Sequence, residues 1–222
     1  MISAVLPSLD RSAGLLRALD SLRATTAGHD IEIVVVLDAP DTDSQSEMRA
    51  RNDVQTVVVG PEYRGWPGRK YNTGYRCCRP ESDLILTVAD DVEFLPGWLE
   101  PALELAGSHA VVGMYDGQPR AVGILSLIRR TWINDEQAGL LTFPWYRVWF
   151  GEVERALRAK EQGQYALSYE SRIEHYHPGV GKGPDDDIYR LASNWHRQDE
   201  DTFRRRRAAG WPADEPALDG PP

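Results

Sequence analysis

The stretch "IEIVVVLD", residues 31–38, is an almost unbroken β-branched run that ends in an aspartate. A strand with one solvated face alternates apolar and polar residues, whereas a continuous apolar run marks a parallel strand covered on both sides. Before it, "ISAVLPSL" (2–9) reads as another buried strand. "RSAGLLRALDSLRATT" (11–26) then places Leu15, Leu16, Leu19 and Leu22 on one helical face, with Asp10 or Ser12 available as its cap.

Beyond it, "VQTVVVG" (54–60) supplies a third strand, "PEYRGWPG" (61–68) a turn, "RKYNTGYRCC" (69–78) a short helix and "DLILTV" (83–88) a fourth strand. This alternation predicts an α/β class with a Rossmann-like, mainly parallel sheet, in which ligands bind beyond the carboxyl ends of the strands. Asp10, Asp38 and the adjacent Asp90 and Asp91 all fall there. Neighbouring like charges resist burial, so the last pair must face solvent or something positive.

After residue 98 the pattern turns mixed. "AVVGMY" (110–115) and "AVGILSLIRR" (121–130) read as strands, "PWYRVWFGEVERALRAKEQG" (144–163) as a helix, and "YALSYESRIEHYH" (165–177) as a further strand. Residues 185–210 form an expected closing helix, broken near Ser193 and Asn194, that carries Ile188, Leu191, Trp195 and Phe203 inward. Its "RRRR" (204–207) reads as a solvated helix end, where cations suit the dipole. The tail "WPADEPALDGPP" is expected to fray. No repeat or linker divides the chain, so one domain over 1–212 and a flexible tail at 213–222 are expected.

The net charge of −9 weighs against adhesion of the whole surface to nucleic acid or anionic membrane. Cys77 and Cys78 are adjacent and the only cysteines, which removes an ordinary disulfide framework. No apolar segment is long enough to span a bilayer, and "MISAVLPSLDR" lacks the basic start and apolar core of a signal peptide. A cytoplasmic location is expected.

Carboxylates at three strand ends point to a nucleotide or metal site, since they accept from ribose or base and supply hard oxygen ligands. The chain has neither a Walker phosphate loop nor a GxGxxG turn after its first strand, so a bound cation would neutralise a diphosphate. Two of the five histidines lie in "RIEHYHP" (172–178), where strand alternation sets Ile173 and His175, with His177 next, on one face.

The series "AVLPSLDR", "EIVVVLDAPDTD", "RKYNTGY", "LILTVADDVEFLPGWLEPAL" and "SRIEHYHP" resembles the inverting family 2 glycosyltransferases of the GT-A fold. The resemblance implies a nucleotide-binding half over 1–98 and a mixed acceptor and catalytic half over 99–212. It implies Pro7, Asp10, Arg11 and Asp38 around the nucleotide, with Arg69, Lys70 and Asn72 near its phosphates. Asp10 reads equally well as a helix cap.

"ADD" stands where that family carries its Asp-x-Asp signature, so Asp91 is the implied ligand of a divalent metal, Mn2+ or Mg2+. Ala89 replaces the first aspartate, which leaves Asp90 as the sugar or ribose contact. His175, then His177, is the implied second metal ligand. Glu152, with Glu154 two residues on, occupies the place of the catalytic base. Lys182, in "HPGVGKGPDDDIY", is the implied cation of a loop closing over the diphosphate.

The activity implied is metal-dependent transfer of a sugar from a nucleoside diphosphate-sugar, by family habit a UDP-sugar, to a hydroxyl acceptor with inversion. Trp132, Trp145, Tyr146 and Trp149 can stack on the acceptor or fill the core. The segment from "IEHYHPGVGK" is similar to small phage-encoded glycosyltransferase-like proteins, which would put the chain in a host cytoplasm. Glycan, protein and modified nucleic acid all stay open as acceptors. Two alternatives remain: a nucleotidyltransferase of related architecture, against which "PSLDRSAG" lacks the glycine- and lysine-rich loop, and a noncatalytic sugar- or nucleotide-binding protein.

Overall fold

The structure is a computed structural model that describes residues 1–212, so the tail expected at 213–222 lies outside the described residues. The first half runs β1 (Ile2–Pro7), α1 (Ser12–Thr25), β2 (Ile31–Asp38), α2 (Thr42–Arg49), β3 (Gln55–Val59), a 3-10 turn (Pro61–Tyr63), α3 (Pro67–Cys77) and β4 (Leu84–Thr87). The second continues with β5 (Val92–Phe94), α4 (Leu99–Ala106), β6 (Val111–Tyr115), β7 (Ser126–Arg129), α5 (Arg130–Glu136), α6 (Gly151–Glu161) and β8 (Tyr165–His175). A 3-10 turn (Pro178–Val180), α7 (Asp187–Ser193) and α8 (His196–Ala208) close it.

The sheet order is β3-β2-β1-β4-β7-β6-β8-β5. β1 lies parallel between β2 and β4, and β3 is parallel on the outside of β2. β7 turns antiparallel against β4, and β6 against β7; β8 returns parallel to β6 and carries β5 antiparallel on its far edge. The β-branched run of β2 explains itself here. Ile33, Val35 and Leu37 enter one core cluster, while Val34 and Val36 enter another on the opposite face. Each layer of helices removes one set from water.

Two glycines let helices approach the sheet and its loops closely. A Cβ on Gly74 of α3 would collide with Val5 and Val36, and one on Gly14 of α1 would collide with the Asp90 carbonyl. Gly14 thus fixes the loop after β4 against the start of α1.

Several expectations change. The strand expected at 121–130 shrinks to β7, and the helix expected at 144–163 begins only at α6, because Phe150 adopts a left-handed φ of 71° as its N-cap and the preceding backbone donates to Asp199 instead. β5, α4 and α5 were not foreseen. β5 is three residues long and exists through its pairing with β8, a tertiary cause.

The closing segment does break at Ser193, but only Phe203 of its four expected inward residues is fully enclosed; Ile188, Leu191 and Trp195 are half-buried. Arg206, read as solvated, is buried, as is Trp211, which bonds Glu161 at 2.9 Å and so packs the start of the supposed tail. Arg11 holds the N-cap position of α1 without a side-chain bond, so neither Asp10 nor Ser12 caps it. No helix among the described residues is long and apolar enough to cross a membrane.

Candidate active site

A cleft of about 310 Å³ opens at the carboxyl ends of β1 and β4. The loop after β1 supplies Ser8, Leu9 and Arg11, and the loop after β4 supplies Ala89, Asp90 and Asp91. β8 and the turn beyond it bring His175 and His177, α6 brings Glu152 and Arg155, and α7 covers the opening with Ile188 and Tyr189.

Asp90 accepts from the Ser8 hydroxyl at 2.7 Å and lies 3.5 Å from the Arg11 guanidinium. Burial, then the adjacent Asp91 charge, pushes its carboxyl up to about 6. Asp91 accepts from the Tyr189 hydroxyl at 2.8 Å, and its Oδ2 is 3.4 Å from His175 Nε2. Burial opposes its ionisation, yet His175 and Tyr189 outweigh burial and hold it below the usual carboxylate range. On its other side His175 Nδ1 faces Asp116 Oδ2 at 3.4 Å. His177 uses Nδ1 to accept from the Gly179 amide at 2.9 Å, and burial followed by His175 pushes its imidazole down.

This donor set fits a divalent ion in part. Two ligands of one ion, each roughly 2.1 Å from it, stand about 3 to 3.5 Å apart, the spacing of Asp91 Oδ2 and His175 Nε2. A carboxylate behind the imidazole, here Asp116, is the partner that orients a metal-bound histidine. Among the described residues no cluster of three His, Cys, Asp or Glu side chains is arranged to hold a metal, so Asp91 and His175 are two side chains that could hold one and further ligands would have to come from elsewhere.

On the β1 side Arg11 forks onto Asp186 at 2.7 and 3.0 Å and stacks over the Tyr189 ring at 4.0 Å. Lys70 Nζ donates to the Ser8 carbonyl at 2.9 Å and pairs with Asp38. Asp38 is 0% exposed and does not line the cleft; Lys70 lies between, and the other carboxylate oxygen, Oδ1, has no hydrogen-bond partner. Burial raises the Asp38 carboxyl, opposed by Lys70.

Glu152 occupies the first turn of α6 and lines the cleft. Burial pushes its carboxyl up, while Arg155 and Arg120 pull it back. Glu154 points elsewhere: it is 3% exposed, forks onto Arg206 and accepts from Tyr146 at 2.7 Å. Its side chain is committed to Arg206 and Tyr146 and does not line the cleft, so it is not placed to act as a second base there.

Of the expected residues, Pro7, Arg11, Lys70, Asp90, Asp91, Glu152, His175 and His177 converge on the cleft. Asn72 does not, because its amide exchanges two hydrogen bonds with the Thr142 backbone, at 2.9 and 3.1 Å. Arg69 instead stacks on Trp66 at 3.6 Å, Asp10 pairs with Arg64, and Lys182 pairs with Glu174 outside the cleft. Among the four aromatics, Tyr146 and Trp149 line the cleft, and Trp132 packs in the core.

Asp116, Tyr189, Asp186 and Arg155 went unread. Asp116 follows "AVVGMY", so the strand-end rule that singled out Asp38 and Asp91 would have found it. The other three carry no such signal, being placed by tertiary packing.

The fold is that of GT-A glycosyltransferases. A mannosyltransferase, PcManGT from Pyrobaculum calidifontis, solved with GDP-Man and Mn2+, superposes with a TM-score of 0.70 at 16% identity over 92% of this chain and 64% of its own. Glucosyl-3-phosphoglycerate synthase from Mycobacterium tuberculosis, solved with Mn2+, UDP and phosphoglyceric acid, gives 0.66 at 14% identity over 98% and 80%. S. aureus TarS 1-349 with UDP gives 0.61 at 16% identity over 78% and 59%. The chain therefore spans less than two thirds of the mannosyltransferase and of TarS. No curated protein matches it. A family model described as glycosyl transferase family 2 matches residues 3–166, from β1 into the start of β8, and the chain accordingly belongs to glycosyl transferase family 2.

Proposed function

We propose that this chain transfers a sugar from a nucleoside diphosphate-sugar, by preference a UDP-sugar, to a hydroxyl acceptor with inversion, using Mn2+ or Mg2+. The observation that carries the reading is the meeting of a carboxylate–imidazole pair, Asp91 and His175, with the half-buried Glu152 in one cleft. The nucleotides in the similar structures, UDP and GDP-Man, and the Mn2+ present with GDP-Man and with UDP in two of them, support it.

In this mechanism Asp91 and His175, with His177 as reserve, would hold the metal. The metal, when bound, offsets charge on the leaving diphosphate. Glu152 takes the proton of the acceptor hydroxyl as its oxygen bonds to the anomeric carbon and the bond from that carbon to the diphosphate breaks. Arg11 and Lys70 supply positive charge on the β1 side. The orphaned Oδ1 of Asp38 accepts from ribose or base once Lys70 turns toward phosphate, and Asp90 contacts the sugar or ribose. Residues 1–98 then serve the nucleotide and 99–212 the acceptor.

Thermal unfolding with UDP-, GDP- and TDP-sugars, each with and without Mn2+, tests this, since a ligand bound only to the folded state raises its midpoint. A metal-dependent rise with one nucleotide class is expected. No rise with any of them sinks the reading.

A further inference from the structure

Four cations line the cleft: Arg11, Lys70, Arg120 and Arg155. The first three each meet a carboxylate, namely Asp186, Asp38 and Asp116. Arg155 alone among them makes no ion pair with any described residue, although Arg158 and Arg206 beside it both pair with Glu154, at 3.6 and 2.8 Å. It is 4% exposed. Its Nη1 donates to the Leu141 carbonyl at 2.8 Å, and its Nε is buried with no partner.

A guanidinium so enclosed and under-bonded loses hydration without a paired anion to replace it. Burial accordingly pushes its pKa down, with Glu152 and Tyr71 the main opposing charges. Glu152 is near but makes no ion pair with it, which leaves a direct anionic contact for a ligand to supply. Its place is set by the helix: Arg155 lies three residues after Glu152 on α6, so both side chains share one face.

We propose that Arg155 is an anion receptor on the acceptor side of the cleft, so that the acceptor is a hydroxyl compound bearing a carboxylate or phosphate near its attacking hydroxyl. This rests on the sugar-transfer reading with Glu152 as base. The donor's diphosphate is the other anion that enters this cleft, but Arg11 after β1, Lys70 of α3 and the Asp91–His175 pair would serve it. Arg155 sits apart on α6, one turn from the proton acceptor. A guanidinium there holds the acidic group by charge-assisted hydrogen bonds while the hydroxyl is presented to Glu152. It also selects against neutral acceptors, which would leave the buried cation unpaired.

The test begins with the wild-type protein saturated with Mn2+ and UDP, so that the diphosphate position is filled. Calorimetry then compares matched pairs: methyl glucuronide against methyl glucoside, and glycerate and glycerol 3-phosphate against glycerol. At least one acidic member is expected to bind about tenfold or more tightly than its neutral partner. Arg155→Met is expected to abolish that preference, and Arg155→Lys to keep part of it.

Equal binding within every pair, or no binding by any acidic member, overturns the proposal without needing a folded variant. A preference that survives in folded Arg155→Met also overturns it. So does a loss of UDP affinity in that variant without an acidic-acceptor preference in the wild type, which would assign Arg155 to the diphosphate. Failure of the wild type to bind any nucleoside diphosphate counts instead against the underlying donor reading.

Discussion

Arg206 of α8 donates to both carboxylate oxygens of Glu154 in α6, at 2.8 and 2.9 Å, with both side chains buried. The pair locks the closing helix onto the helix that carries Glu152. Breaking such a pair by removing one charge costs about 3–5 kcal/mol because the other is left buried. Glu154→Gln is therefore expected to lower stability by that order in chemical denaturation. Donor binding by the folded fraction should stay unchanged. Unaltered stability would contradict the structural role of Glu154.

Lys70 presents the opposite case, a pair at the edge of the cleft. Removing its ammonium leaves Asp38 enclosed with no paired cation, Arg64 acting on it only at a distance, so Lys70→Met should destabilise the protein by about 3–5 kcal/mol. Asp38→Asn added to Lys70→Met should return part of that loss, because the orphan is then neutral. Equal stability of the single and double variants in urea titrations would show that the buried charge is not what costs.

Much of this was legible in residues 1–98, where strand patterns are strong and ligand positions follow from strand ends. "IEIVVVLD" and "DLILTV" place Asp38 and the Asp90–Asp91 pair by local rules alone. What a strand-end carboxylate faces is not local. Asp38 was read as facing ligand, yet Lys70, 32 residues on, covers it. Asn72 and Arg69 carry suitable chemistry, but Thr142 and Trp66 claim them first. In the second half, helix period and polarity could not reveal that residues 147–149 form a loop. Asp199, 0% exposed and some fifty positions away, accepts from all three of their amides.

The Asp91–His175 contact leads to a graded series. Asp91→Asn should reduce Mn2+-dependent nucleotide binding most strongly, since it replaces an anionic ligand by a neutral amide of the same shape. His175→Ala should lose less. Asp116→Asn, which meets the imidazole on its far side and also loses the charge paired with Arg120, should weaken metal affinity about 10–100-fold. Mn2+ titrations followed by calorimetry rank the three; an Asp116 effect larger than that of Asp91 would move the metal.

Glu152→Gln keeps the size of the side chain but cannot accept a proton, so transfer should fall about a hundredfold or more while donor affinity persists. The wild-type pH dependence follows from burial. Because burial raises the Glu152 carboxyl, the acid limb of the rate profile should have its midpoint above the ordinary glutamate range, activity rising as pH rises through it. Arg155→Met removes a charge that pulls this carboxyl down, and should move the midpoint higher still. Stability should carry the complementary signature. As pH rises past about 4.3 the unfolded chain ionises this glutamate first, favouring unfolding until the folded carboxyl ionises too. Glu152→Gln should remove that loss, so the variant should gain on the wild type toward neutral pH. A wild-type acid limb at the ordinary glutamate position, or one that persists unchanged in the residual activity of Glu152→Gln, would take the proton-accepting role away from this residue.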